Sequence, residues 1–466
     1  MEYSPQTKKF TLLVVSLASF LTPFMGSAVN LAIPSIGQEF GSSTFQLGWV
    51  ATSYILASAA FLVPFGRIAD IIGRKRVFVL GISIVALASV FCGLAWSVQA
   101  LIFFRILQGI GGAMVFGTGM AILTSVFPPQ ERGRVLGINV ATVYSGLSLG
   151  PVLGGIMNKN LGWHSIFFLT ALIGLATAVF TFWKLKEEWA GAKGEPFDII
   201  GAALYTLGLI SFMYGVSAVA TVAFAKYLLV VGVVILVVFV RFELKAKTPV
   251  LNLRLFKNVT FAFSNLAALI NYSATSALGF ILSFYLQIVL GFDSQIAGMI
   301  LLFQPVMMAV LSPFAGNLSD RVQPRTLSSL GMGLTALGLF VFAFISQTTP
   351  VWQIILTLGV MGVGFALFSS PNSNAIMSSV EKRFYGVASS TLGTMRLIGQ
   401  AVSMSVVMLI ITYVVGNVEL TPAHAPALIT AMRISFALFT ILSVAGIFAS
   451  LARGKVTREN DGSPQY

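Results

Sequence analysis

An all-α membrane protein of fourteen membrane-spanning helices is the fold class this sequence predicts, arranged as two pseudo-symmetric six-helix bundles plus an inserted helix pair. Three observations carry that expectation. The 466 residues are 57% hydrophobic and only 9% charged, with a mean hydropathy of +0.91, whereas soluble proteins carry about 25% charged residues. The basic residues are sorted strictly by loop. And a short basic stretch near the start returns, shortened, 250 positions later.

The repeated stretch runs Gly66-Arg67-Ile68-Ala69-Asp70-Ile71-Ile72-Gly73-Arg74-Lys75-Arg76, between two apolar runs. Its shorter copy is Gly316-Asn317-Leu318-Ser319-Asp320-Arg321, closing with Arg325. The same offset takes Asp70 to Asp320 and Glu131 to Glu381. Basic loops alone are common in membrane proteins, but a shared Gly-x-x-x-Asp spacing indicates an internal duplication, a frequent build of secondary transporters.

A membrane helix needs roughly 20 apolar residues. The first candidate, 10–33, follows Lys8 and Lys9. The second, 46–66, ends at the basic loop, and the third, 77–96, leaves it. Spans 100–126, 135–158 and 164–183 complete a first group of six, closed by Lys184 and Lys186. The polar break 184–197 precedes a pair, 198–219 and 223–242, and a second break, 243–258, follows it. Six more close the chain: 259–288, 295–315, 326–346, 351–378, 386–415 and 428–451. With the N-terminus inside, 23 of the 28 basic residues fall in inner loops and only Lys159 and Lys226 in outer ones. Arg105, Arg396 and Arg433 lie within spans. Basic residues favour the cytoplasmic side, so both termini are expected there, in a plasma (inner) membrane. The domains expected are a six-helix bundle at 1–190, a two-helix insert at 191–250, a second bundle at 251–452, and a disordered cytoplasmic tail at 453–466. The insert is poor in polar residues and is expected to face lipid.

Composition also excludes. The net charge of +13 is spread over the inner loops as a topology signal, so no nucleic-acid partner is expected. Cys92 is the single cysteine, and His164 and His424 stand far apart, so no disulfide, metal site or cofactor is expected. No phosphate-binding Gly-x-x-x-x-Gly-Lys-Ser/Thr loop occurs, which argues against a nucleotide-driven pump. The first apolar run is too long for a cleavable signal peptide. A membrane enzyme would need a nucleophile, metal ligands or paired carboxylates at membrane depth, and none is visible.

Three signatures resemble the major facilitator superfamily, and within it the fourteen-span drug:proton antiporters. Gly66 to Arg76 is similar to the loop between helices 2 and 3. Arg105-x-x-Gln108-Gly109-x-Gly111-Gly112-Ala113 is similar to the helix 4 signature. Gly146-x-x-x-Gly150-Pro151-x-x-Gly154-Gly155 is similar to the helix 5 signature of antiporters. The resemblance covers nearly the whole chain. It implies a monomer that exports small amphipathic compounds across a lipid bilayer by alternating access, coupled to protons.

It also implies roles for residues. The loop acts as a gating latch, through Gly66, Asp70, Gly73 and Arg74, with Gly316, Asp320 and Arg321 in the second copy. A side chain at Gly66 is expected to clash where two helix ends approach. The helix 5 group, Gly146, Gly150, Pro151, Gly154 and Gly155, is a hinge, because proline breaks one backbone hydrogen bond and glycines admit a neighbour. Arg105 is either a functional charge or an arginine tied to backbone carbonyls for structure; Gln108, three residues on, shares its face.

One departure matters. The antiporters carry an acid in helix 1; here Asn30, Ala32 and Pro34 match the pattern, but Met25 takes the acid's place. All fifteen acids lie in loops, tails or span ends, with Asp198, Glu243 and Asp293 nearest a membrane boundary. Arg105 and Arg396 therefore lack an obvious acid partner, which suits an anionic or neutral amphipath better than a lipophilic cation. Expected cavity residues are Asn30, Ser53, Tyr54, Asn139, Tyr144, Asn271, Tyr272, Gln304, Asn372, Asn374 and Gln400, besides Arg105, Gln108 and Arg396. Each contacts substrate or makes an interhelical hydrogen bond. A transporter-like receptor that moves nothing is the remaining alternative.

Overall fold

The protein was analysed as a computed structural model, which describes residues 4–127, 129–219, 222–246, 248–251, 253–319, 322–380, 385–416 and 418–454. Asp320, Arg321, Glu381 and the tail from 455 onward lie outside the described residues.

The described secondary structure is helical, without strands. The first group comprises α1 (Pro5–Phe40), α2 (Thr44–Ile72), α3 (Arg74–Gly93), α4 (Val98–Val126), α5 (Pro129–Leu161) and α6 (His164–Lys184). The pair α7 (Ile199–Ala218) and α8 (Ala225–Glu243) follows. The second group comprises α9 (Val259–Thr275), α10 (Leu278–Phe284), α11 (Ser294–Leu301), α12 (Phe303–Ser319), α13 (Pro324–Phe342), α14 (Val351–Ser378), α15 (Tyr385–Val414) and α16 (Ala425–Ala452).

Thirteen helical stretches among the described residues are long and apolar enough to cross a membrane. The sequence led to fourteen. The helix outside this set is α5, which has 33 residues, many of them in its first part with side chains outside the described ones. Its small residues serve packing. Gly146, Gly150 and Gly154 sit one turn apart, and a Cβ on any of them would overlap Phe20, Phe24, Ser27 or Ala28 of α1.

Two expected spans are interrupted. The stretch 259–289 breaks at Ser276, where the Ala277 N–H donates to Ser403 Oγ of α15 at 3.0 Å. It ends in a π-turn, Tyr285–Val289, closed by the Leu290 N–H on Tyr285 O at 3.0 Å. The other interruption, at Leu302, precedes Pro305, whose missing N–H leaves one helical bond unmade.

The insert is not uniformly peripheral. The α8 face bearing Val230, Val233, Val234 and Val237 is exposed, as expected toward lipid. In contrast α7 is bonded to α2: Tyr205 Oη donates to Ala59 O at 3.0 Å and Thr206 Oγ1 to Ala60 O at 2.9 Å.

The largest apolar cluster joins the two groups at the end opposite the basic loops. There Phe24, Leu31, Leu47 and Trp163 pack in one cluster with Phe280, Tyr285, Met404 and Phe436. Packing continues at the residue that follows α16. Arg453 is fully buried, donating to Ser450 O at 2.8 Å and to Asn372 Oδ1 at 2.9 Å. Burial holds its guanidinium down to about 10, with Arg325 adding to the effect.

Candidate functional site

The repeated loop forms a bonded unit at the basic end. Asp70 Oδ1 accepts from Arg74 Nε at 2.8 Å and pairs with Nη2 at 2.7 Å. Arg74 Nη1 donates to Ser125 Oγ at 2.7 Å and to Ala121 O at 3.2 Å, tying the α2–α3 corner to α4. Gly73, at φ +124°, makes the corner itself.

The segment after α6 straps over this corner, which the sequence reading did not foresee. Arg74 N–H donates to Trp189 O at 2.8 Å, and Ala192 N–H to Asp70 O at 2.9 Å. Glu188 accepts the N–H groups of Lys75 and Arg76 at the N-terminus of α3, and Glu195 pairs with Arg67 at 2.6 Å. The one available signal was an acid-bearing break, Glu187 to Glu195, beside a basic loop. Gly66 corrects an expectation. A Cβ there meets nothing within 4 Å; the tight partner is Gly117 of α4, whose Cβ would stand 3.3 Å from Gly66 Cα. In the second copy, a Cβ on Gly316 would stand 2.9 Å from Ser370 Oγ.

Arg105 is 1% exposed and points into the first bundle. Its Nε donates to Val50 O at 2.9 Å and its Nη1 to Gln108 Oε1 at 2.6 Å. Gln108 Nε2 then donates to Ser89 Oγ at 2.6 Å, and Ser89 to Val85 O at 2.6 Å. The Tyr54 ring lies under the guanidinium, 4.5 Å away. The guanidinium is thus bonded to a carbonyl and an amide and lies over a ring, contacts of the kind the reading of a tied arginine expects. Ser89 carries no distinctive sequence signal and was missed.

Arg396 is placed differently. It is half-buried on α15 and lies over the Tyr272 ring of α9 at 5.4 Å. Among the described residues it has no carboxylate partner and no hydrogen bond. Tyr272 packs in one cluster with Tyr144 of α5. The Tyr144 hydroxyl is hydrogen-bonded to Ser369 Oγ of α14 at 3.1 Å, joining the two groups.

The α5 signature divides its labour. Gly155 and the Pro151 carbonyl turn away from α1 to α11. A Cβ on Gly155 would overlap Ser294, and one on Gly298 would overlap the Pro151 carbonyl. Ser294 Oγ donates to Gly155 O at 3.1 Å, and Lys159 Nζ pairs with Asp293 at 2.9 Å. Alongside, Ser283 Oγ donates to Asn30 O at 2.8 Å and Gln287 Nε2 to Leu31 O at 3.3 Å. These bonds form a seam between the groups at the end opposite the basic loops.

The other expected cavity residues scatter. Ser53 is buried with an unpartnered hydroxyl. Asn139 gives its amide to Met120 Sδ at 3.6 Å. Asn271 is fully buried with neither side-chain atom partnered. Asn372 bridges Arg453 and Ser264 O inside the second bundle. Asn374 donates to Ser319 Oγ at 3.0 Å near the basic end. Gln304 and Gln400 are half-buried. Met25 is 1% exposed and packed in the joining cluster. No group of three or more potential metal ligands occurs among the described residues.

Buried cations, a glycine-lined inter-bundle seam and a bonded basic corner in a many-span helical body describe a membrane transporter. The family model of the Major Facilitator Superfamily matches residues 15–404 and 264–464, and the chain belongs to that family. Curated relatives include a riboflavin transporter, RibZ, of Clostridioides difficile, 29% identical over 84% of this chain and 85% of the relative. The multidrug resistance protein Stp of Mycobacterium tuberculosis is 29% identical over 86% and 75%. The tetracenomycin C resistance and export protein of Streptomyces glaucescens is 27% identical over 88% and 77%. Among solved structures, a bacterial homologue of the human lysosomal transporter Spinster, inward-facing and unoccupied, superposes with a TM-score of 0.70 at 18% identity, covering 97% of this chain and 98% of its own. That likeness bears on the fold alone.

Proposed function

We propose that the protein is a secondary active exporter of small amphipathic compounds, working by alternating access and coupled to protons. The observation that carries this reading is the seam. Hydrogen bonds and an ion pair join the bundles at one end, around Asn30, Leu31, Gly155 and Lys159, with the Tyr144–Ser369 bond also between them, while the strapped corner at the other end lies within the first bundle. Two bodies joined at one end and braced separately at the other suit rocking about a central site.

On this reading α5 is the fifth of fourteen spans, and α9 with α10, and α11 with α12, each make one. The domains are then 1–190, 191–250 and 251–452, with the protein a monomer. The basic corner faces the cytoplasm of a plasma membrane, so the seam closes the outer end. Reporter fusions after residues 190 and 250 then read cytoplasmic, and one near 220 external.

A second reading concerns substrate charge. Arg396 lies over an aromatic ring with no acid partner among the described residues, and Met25 stands where the antiporters this sequence resembles carry an acid. Both favour neutral or anionic amphipaths over cations. Names among the relatives include riboflavin, tetracenomycin C and multidrug resistance, which fits a transporter of small organic compounds. The test is flux in proteoliposomes under an imposed pH gradient, with one cationic, one neutral and one anionic amphipath. Flux of the neutral or anionic probe that collapses with the gradient supports the proposal. No flux of any probe would leave a non-transporting receptor.

A further inference from the structure

Three carboxylates described at the basic end have a partner: Asp70 has Arg74, Glu195 has Arg67, and Glu188 has the α3 N-terminus. Asp198 and Glu243, at the base of the inserted pair, each leave one carboxylate oxygen buried without a partner. Asp198 caps α7, its Oδ1 accepting from the Gly201 N–H at 2.8 Å, but its Oδ2 is buried without a partner. Glu243 closes α8 and is 3% exposed. Its Oε1 accepts from the Val250 N–H at 3.1 Å and the Leu251 N–H at 3.4 Å, while its Oε2 is buried without a partner. The two carboxylates meet beside Gly201: a Cβ there would stand 3.1 Å from Glu243 Oε1 and closer still to Asp198 Oδ2.

No cation pairs with either acid among the described residues. Arg241, Lys245 and Arg254 are exposed, and Lys247 lies outside the described residues. From the elements packed on α7, Arg67 of α2 is engaged by Glu195 and Arg396 of α15 lies on Tyr272. The Tyr205 hydroxyl is committed to Ala59 O. Two adjacent ionised carboxylates with buried, unbonded oxygens would suffer both repulsion and desolvation. One proton removes the repulsion and neutralises one of the two buried groups.

We propose that Asp198 and Glu243 form a proton-binding site that holds a single proton between them. The site is placed where its occupancy can be read. Glu243 anchors Val250 and Leu251, and Leu251 packs in one cluster with Leu56 of α2 and Leu397 of α15. Loss of the proton sets like charges against each other at this junction and loosens the hold on Val250 and Leu251.

The test needs no substrate, so its failure is distinguishable from failure of the transport reading. Infrared difference spectra of the full chain in lipid nanodiscs are recorded between about pH 6 and about pH 9. The expected result is a protonated-carboxyl band in the wild type near neutral pH. Asp198→Asn, which keeps the helix cap, and isosteric Glu243→Gln each remove it. The wild-type titration stands alone if a variant misfolds. Absence of the band, its persistence in both variants, or its loss on adding sodium or calcium at constant pH would overturn the proposal.

Discussion

Glu188 accepts the backbone N–H groups of Lys75 at 2.8 Å and Arg76 at 3.2 Å, its carboxylate lying where Gly73 leaves no side chain. A residue 112 positions downstream of Arg76 thus caps the helix that leaves the repeated loop. Negative charge at a helix N-terminus is favourable, and a lost cap costs about 0.5–2 kcal/mol. Glu188→Ala is expected to lower thermal stability by that order and to weaken the corner. Gly73→Ala is expected to cost more, because it meets the Glu188 carboxylate at a backbone angle that disfavours side chains. Asp70→Asn is expected to insert normally and transport poorly, since it removes the charge that holds Arg74 between α2 and α4. Thermal melts and flux of the three variants check this; wild-type melts in both Glu188→Ala and Gly73→Ala would refute the strap.

Arg105→Ala leaves Gln108 Oε1 buried without its donor, a loss of roughly 1–3 kcal/mol. Arg105→Lys is not expected to restore the wild type, because one ammonium cannot reach Val50 O and Gln108 in the guanidinium's planar geometry. Melting in detergent and flux should fall together in both. If Arg105→Lys matches the wild type in both measurements, the fork geometry is dispensable.

The two faces of α5 separate by mutation. Gly150→Leu is expected to push α1 away and reduce folded yield, overpacking costing about 1–3 kcal/mol or more. Gly155→Leu meets Ser294 instead, so the chain is expected to fold but close its seam poorly. Pro151→Ala is expected to keep expression and impair alternation. Cross-linking of cysteines placed on α5 and α11 reads the seam, and equal cross-linking in Gly155→Leu and wild type would count against it.

The Lys159–Asp293 pair should respond to acid but not to mild alkali. The Asp293 carboxyl is held below its ordinary range first by the Ile296 N–H and then by Lys159. A depressed carboxyl contributes its stabilisation above the unfolded value, and that contribution is lost as pH falls through the folded one. Seam cross-linking is therefore expected to be level near neutrality and to weaken only in acid below the usual carboxylate range. Asp293→Asn should flatten that acid limb.

Charge selection follows from Met25 and Arg396. Opposite charges ~4 Å apart interact by roughly 4 kcal/mol at an effective dielectric constant of about 20, before desolvation. A permanent cation is expected to be a poor substrate, and Met25→Asp to admit some. Saturable, proton-driven flux of a quaternary ammonium dye by the wild type would defeat this expectation.

The sequence by itself determined the membrane class, the sorted basic loops and the places of the three signatures. Those properties are local: hydropathy sums along the chain, and Gly-Pro or Gly-x-x-x-Asp spacings are read within a few turns. It did not determine partners. That Gly117 rather than Gly66 makes the tight contact, that Arg453 is buried against Asn372, and that Ser89 completes the Arg105 network all join residues remote in sequence. Only the tertiary structure brought Glu188 to α3, and Asp198 to Glu243. A buried polar group is satisfied where packing places a partner, and for Gln108 with Ser89 and Arg453 with Asn372 packing placed it on another helix.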